Sequence, residues 1–305
     1  MPGCWSGKGG PGQKGVCIKV EDPHHIRKEA KMREKKIFYS DNIREAGIRA
    51  ALDQELRDLP LQVLLEVDST NIRLRKLAEE GAPDGMALIA GAQTAGKGRL
   101  GRTFYSPAGT GVYISLLLRQ TGWDPELTGR ITTMAAVAAS EAIESVSGKK
   151  AGIKWVNDIY VEGKKVCGIL AEGSGRREDG GLSYVILGAG FNVFSPEEGF
   201  PEELLQKAGA IFDTYEEQAR ENLTAGFLNR FLHYYRAKDH KKYVGKYQAR
   251  CFVTGKDIVV ITPTEKKRAH VLAVDENCHL KVRYEDGREE MLSSGEISIR
   301  PVAEV

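Results

Sequence analysis

Residues 91–102 read Gly91-Ala92-Gln93-Thr94-Ala95-Gly96-Lys97-Gly98-Arg99-Leu100-Gly101-Arg102, and the architecture turns on which glycine-rich loop this is. Read as GxxxxGK, the stretch approaches a phosphate-binding loop, but Gly98 stands where that loop needs a magnesium-coordinating Ser or Thr. Read as GxGxxG, Gly96 to Gly101 approaches a dinucleotide fingerprint, yet Arg99 to Pro107 do not open the helix whose N-terminus would hold the phosphates. Both readings are set aside. What remains is a loop whose glycine backbone can approach a ligand closely, carrying Lys97, Arg99 and Arg102 for a polyphosphate.

Around the loop, strand-length apolar runs occur at Leu61 to Val67, Met86 to Ala92 and Val112 to Leu118. Further runs lie at Gly152 to Val156, Val166 to Ala171 and Tyr184 to Ala189. Asp68-Ser69-Thr70 supplies capping side chains for a short helix ending at Gly81. Ile131, Met134, Ala135, Ala138, Ala142, Ile143 and Val146 keep helical spacing. Thr214 with Glu217 reads as a capping box opening a second long helix through Leu223, Phe227, Leu228 and Phe231. His233 and His240 near its end read as structural rather than metal-binding. A helix is expected from Ser40 to Leu59, capped by Ser40 or Asp41, with Ile43, Ala46, Ala50 and Ala51 on one side. After about Ala249 the pattern becomes short strands, Ile258 to Thr262, Arg268 to Asp275, His279 to Tyr284 and Arg288 to Leu292, with a turn at Asp286-Gly287. That is a small β-barrel pattern.

The chain has 305 residues, long enough for about two domains. Hydrophobic residues at 41% and charged residues at 28% argue against a disordered or fibrous chain. Net charge is +2, and residues 1–36 alone hold nine Lys or Arg against four Asp or Glu, so the basic excess belongs to the tail. That glycine-rich tail buries too little to offset its ordering entropy and reads as disordered. Five cysteines, Cys4, Cys17, Cys167, Cys251 and Cys278, lack CxxC spacing, which suggests neither a disulfide framework nor a zinc cluster. With no apolar leader and no run of 18 apolar residues, a cytoplasmic protein without a membrane span is expected.

The segments Asp68-Ser69-Thr70-Asn71, Gln93 to Arg102, Lys154-Trp155-Val156-Asn157-Asp158, Lys165-Val166-Cys167-Gly168-Ile169-Leu170, Gly188-Ala189-Gly190-Phe191-Asn192 and Gly295-Glu296-Ile297-Ser298 stand in this order. Together they resemble biotin protein ligase, from about residue 61 to the end. Lys97 sits where that family often has arginine, and Val156 where it often has proline; Lys97 keeps the charge without bidentate phosphate binding. The resemblance implies an α+β fold. A mixed β-sheet with packed helices, akin to class II aminoacyl-tRNA synthetase cores, is followed by a small C-terminal SH3-like β-barrel. The expected boundaries are a basic tail at 1–36, a helix and linker at 37–60, a catalytic domain at 61–248 and the SH3-like domain at 249–305.

The chemistry implied by the resemblance explains these residue types. Biotin's carboxylate attacks the α-phosphate of ATP, so two anions must be brought together, and lysine, arginine and magnesium (Mg2+) offset the repulsion. By resemblance, Lys165, Asp158 and Arg99 are catalytic, with Asp158 accepting a proton from the acceptor lysine. Ser69, Thr70, Asn71, Gln93, Gly96, Lys97, Arg99 and Gly168 would bind biotin. Gly98, Arg99, Arg102, Asn157, Lys165 and Asn192 would face ATP; no metal ligand is assigned. The implied partner is the biotin carboxyl carrier protein or domain of acetyl-CoA carboxylase or a related carboxylase, while monomer and homodimer both stay open. Two other readings are a lipoate ligase of the same fold and a biotin-responsive DNA-binding regulator. The glycine-rich tail is too short for a winged helix, so DNA binding is not expected.

Overall fold

A computed structural model describes residues 42–119, 126–174, 181–237, 241–262, 264–293 and 296–298. The tail at 1–36, Ser40, Asp41, His240 and Gly295, and with them Cys4 and Cys17, lie outside the described residues.

Seven strands form one mixed sheet: β1 (Leu61–Leu64), β2 (Ala87–Ala90), β3 (Gly111–Arg119), β4 (Gly152–Lys154), β5 (Asp158–Val161), β6 (Lys164–Ser174) and β7 (Tyr184–Asn192). Their order is β1-β2-β3-β7-β6-β5-β4, with β1 and β2 parallel and the other pairs antiparallel. Because side chains alternate along a strand, β7 sends Val185, Leu187, Ala189 and Phe191 to one face and Ile186, Gly188 and Gly190 to the other. The first face is covered by α3 (Leu127–Ser147) and α4 (Ala219–Arg236), whose Phe227 is fully buried edge-on to Phe191 at 5.6 Å. The other is covered at one end by α2 (Thr70–Glu79), where Leu74 and Ala78 pack with Leu88, Leu117 and Ile186.

Ser69 is the N-cap of α2 but makes no side-chain cap bond, contrary to expectation. Gln93 replaces it: its Oε1 accepts from the Thr70 N–H at 2.9 Å, and Asp68 Oδ1 instead receives the Ser69 N–H at 2.7 Å. The first strand stops at Leu64, with Val67 reduced to a single bridge to Gln93. The expected capping box also fails. α4 begins at Ala219 after Gln218 in the left-handed region, φ 59°. Phe212 bridges to Phe194 and Tyr215 lies against the Phe194 ring at 5.6 Å, so the chain around Thr214 is held on the end of β7.

The expected long N-terminal helix is α1 (Glu45–Ala51) followed by a 3-10 turn, Gln54–Leu56. Ile43, Ile48 and Leu52 are buried, whereas Ala46 and Ala50 are exposed. Gly47 packs on Glu221 of α4, and that contact decides which side of the short helix faces inward.

Past α5 (Val244–Arg250) comes a five-stranded antiparallel sheet: β8 (Asp257–Ile261), β9 (Lys266–Val274), β10 (Leu280–Tyr284), β11 (Glu289–Leu292) and β12 (Glu296–Ser298). Its order is β11-β10-β9-β8-β12. The β9–β10 turn is built on Asp275, whose Oδ1 accepts from the Asn277 and His279 N–H groups at 2.8 and 2.7 Å. Cys278 of this turn, φ 62°, offers its carbonyl to Trp155 Nε1 at 2.9 Å. No helix among the described residues is long and apolar enough to cross a membrane.

The aromatic seam between sheet and helices gives a direct stability test. Phe227→Ala is expected to cost about 3–5 kcal/mol, the usual range for emptying a buried ring site. Urea unfolding measures it, and a loss below about 1 kcal/mol would contradict the packing described.

Candidate active site

The α2 side of the sheet changes character where α2 ends its cover. Register sets Gly168 opposite Gly190 and Leu170 opposite Gly188, with Tyr113 and Ser115 across from the same two glycines. The missing side chains leave a shallow strip in which the Phe104 ring lies. A Cβ on Gly190 would come 2.8 Å from Phe104 Cε1, and one on Gly168 would come 2.9 Å from Phe104 Cε2. A pocket here is lined by Ser69, Thr70, Asn71, Gln93, Lys97, Phe104, Tyr113, Gly168, Leu170, Gly188 and Gly190, among others. With Phe104 seated, about 30 Å³ is open, roughly the space of one water.

The polar end of this pocket has a fixed pattern of donors and acceptors. Gln93 Oε1 receives both the Thr70 N–H and the Thr70 hydroxyl, at 2.9 and 3.1 Å, while Gln93 Nε2 donates to Ser106 Oγ at 3.1 Å. With its proton committed, the Thr70 oxygen is left as an acceptor, and Gln93 keeps one N–H. Gly96 must lack a side chain here, since a Cβ would meet Phe104 O at 2.5 Å and Ser106 Oγ at 2.6 Å. Burial pushes the Tyr113 phenol up from its ordinary value, so the ring stays neutral. The Cys167 thiol behind β6 is pushed up by burial in the same way.

Beside Gly168 lies an ion pair. β5 and β6 form a hairpin turned by Glu162 and Gly163, φ 51° and 78°, the left-handed pair that a two-residue turn requires. The hairpin brings Lys165 Nζ to 2.6 Å from Asp158 Oδ1, with the two side chains 31% and 22% exposed. A Cβ on Gly168 would sit 3.3 Å from the Lys165 ammonium, so the cation stands at the pocket's edge. Asn157 joins the loop to this hairpin: its Oδ1 accepts from Arg99 at 3.1 Å and its Nδ2 donates to Ile169 O at 2.8 Å. Lys154 is opposite Asp158 in the β4–β5 register.

Arg99 also lines a second cavity of about 340 Å³, bounded by the first turns of α3, by Val156 and Ile169 to Ala171, and by Asn277 to His279. Gly98 closes the loop through its N–H to Arg102 O at 2.7 Å. Arg102 and Asn192 line neither cavity. Asn192 Nδ2 donates to Gly209 O at 3.1 Å, and the backbone of the same segment brackets Lys165. Phe104 and Tyr113 line the pocket, and Ser106, Ser115 and Glu172 hold its Gln93 and Asn71 by hydrogen bonds, without having been singled out from the sequence. Among the described residues no group of three or more His, Cys, Asp or Glu could hold a metal ion.

The Biotin/lipoate A/B protein ligase family model matches residues 64–192, the stretch that builds this pocket and hairpin. These residues are similar to that family. The chain is similar to the bifunctional ligase/repressor BirA of Bacillus spizizenii, 34% identical over 204 residues, covering 60% of this chain and 61% of the relative. It is also similar to the biotin--[acetyl-CoA-carboxylase] ligase of Mycobacterium tuberculosis, 35% identical over 147 residues, covering 47% of this chain and 53% of the relative. The chain thus spans less than two thirds of the length of both. In structure it is similar to a biotin protein ligase from Aquifex aeolicus in complex with biotin and ATP, at TM-score 0.66 and 29% identity, over 79% of this chain and 98% of that one.

The glycine floor of the pocket can be tested by overpacking. Gly190→Ala is expected to lower stability by about 1–3 kcal/mol, because the Phe104 ring must leave its seat. In a Phe104→Ala background the same substitution should cost less, a coupling read by urea unfolding of the four proteins. Additive losses would mean that the ring does not rest on Gly190.

Proposed function

We propose that the chain is an ATP-dependent biotin protein ligase, which forms biotinyl-AMP and passes biotin to the acceptor lysine of a carboxylase carrier domain. The observation that carries this reading is the Lys165–Asp158 pair at 2.6 Å on the lip of a pocket with a polar end. A biotin head has two ureido N–H donors and one carbonyl acceptor. The acceptor left on Thr70 and the donor left on Gln93 complement that set. The dithiolane ring of lipoate offers no N–H, and these buried polar groups would stay unpaired against it, which selects biotin. Ser69 and Lys97 complete the rim, and Phe104 withdraws from Gly168 and Gly190 to admit the ring.

In the first half-reaction a carboxylate oxygen of biotin attacks the α-phosphorus of ATP, the bond to pyrophosphate breaks, and an acyl phosphate bond forms. The Lys165 ammonium stands between the two anions and is worth more as charge builds in the transition state than in the ground state. Arg99, braced by Asn157, with Gly98 and Arg102 of the loop, faces the polyphosphate, and Asn192 lies on the nucleotide side. Among the described residues there is no group of three or more His, Cys, Asp or Glu to hold a resident metal ion. Magnesium would reach this chemistry with the nucleotide.

In the second half-reaction the acceptor amine attacks the acyl carbon, AMP leaves, and the amine's proton passes to Asp158 or to solvent. The 2.6 Å contact gives Asp158 an earlier task as well, which is to hold Lys165 in place. Asp158 is therefore expected to matter in both halves rather than in transfer alone.

Lys165→Ala is expected to slow biotin-dependent ATP–pyrophosphate exchange by roughly a hundredfold or more, as the loss of one positioned transition-state donor does. Biotin binding should fall far less. Exchange within a few-fold of the parent would remove Lys165 from the reaction. Asp158→Asn should slow single-turnover adenylation by about tenfold or more, since small misplacements of a reacting group are costly, and should slow transfer too. Parental adenylation with slow transfer would leave Asp158 as a proton acceptor only.

A further inference from the structure

Asn71 lines the pocket with its carboxamide over Gly188, where an added Cβ would meet Asn71 Oδ1. Two neighbours fix which way that amide faces. Ser115 Oγ, fully buried, donates to Asn71 Oδ1 at 2.6 Å. Asn71 Nδ2 donates to Glu172 Oε2 at 2.8 Å, and the other carboxylate oxygen, Oε1, is held by Arg75 at 3.2 Å. A hydroxyl serves either end of an amide, since it donates or accepts, so Ser115 alone tolerates both orientations. A carboxylate accepts only. Glu172 therefore excludes the flipped amide, which would set oxygen against oxygen, and Arg75 keeps the carboxylate at its post.

We infer that Glu172 is a positioning residue: it locks the Asn71 carbonyl oxygen over Gly188 and so makes that part of the pocket an acceptor for a ligand N–H. This rests on the biotin reading above and deepens it. Thr70 and Asn71 then present two acceptors and Gln93 one donor, the complement of a cyclic urea. Glu172 does not itself line the pocket; it lies two residues beyond Leu170 on the same face of β6.

The test is a double-mutant cycle in biotin-dependent ATP–pyrophosphate exchange, with biotin as the varied ligand. Glu172→Gln keeps the shape but can present either an oxygen or an NH2 group, so Asn71 is free to flip. It is expected to raise the biotin KM by about tenfold, the scale of one misdirected hydrogen bond. At saturating biotin kcat should stay within about twofold, and the ATP KM and melting temperature should not move. Asn71→Ala should also raise the biotin KM, and adding Glu172→Gln to it should change nothing further, because Glu172 acts through Asn71. A parental biotin KM for Glu172→Gln, or effects that multiply in the double variant, would overturn the inference while leaving the ligase reading intact. A folded parent with no biotin-dependent exchange would overturn both.

Discussion

The register that sets Gly168 against Gly190 and Leu170 against Gly188 determines what the rest of the molecule can be. A strand alternates with period two, so the residues that empty one face oblige their neighbours to fill the other. Ile169, Leu187, Ala189 and Phe191 do so, all buried against the α3 and α4 layer. A slip of one residue would press the glycines onto Phe227 and send Phe191 into the pocket. The helix layer is thus what makes an emptied strip affordable on the opposite side.

Around that strip, rigidity comes from groups that lie outside the pocket. The Cys278 carbonyl of the β9–β10 turn ties Trp155, and Tyr247 of α5 donates to Val156 O at 3.1 Å. The turn that carries Asn157 and leads into Asp158 is therefore braced by the C-terminal sheet and α5. On the other side Lys165 exchanges backbone bonds with Lys207 and Gly209. The Lys165–Asp158 pair is too exposed to contribute much stability, about 1 kcal/mol at most for such pairs. Its effect is positional: it fixes the Lys165 ammonium at the pocket lip.

Much of this was legible in the sequence because periodicity carries it. The 21-residue helix α3 and the strands β3, β6 and β7 follow from apolar spacing alone. The resemblance to biotin protein ligase marked Ser69, Thr70, Asn71, Gln93, Lys97 and Gly168, which line one pocket, and Lys165 at its edge, whereas Arg99 lines the second cavity and Arg102 neither. What escaped depends on contacts between distant segments. The start of α4 at Ala219 reflects Phe194 holding residues 212–215, which no local cap reveals. Gln93 usurping the cap of α2 needs the β2 loop to arrive beside it. Phe104 reads as one aromatic among loop residues until the glycines of two other strands are placed beneath it. Glu172 was nearer to hand: counting Gly168, Leu170, Glu172 along one strand face puts its carboxylate on the pocket side.

The most direct measurement is the mass of the acyl-adenylate formed when the purified chain is incubated with ATP, magnesium and equal concentrations of biotin and lipoate. Biotinyl-AMP as the accumulating species is the result that follows from the polar end of the pocket and the cation at its lip. Lipoyl-AMP in its place, or no adenylate from a folded protein, would contradict it.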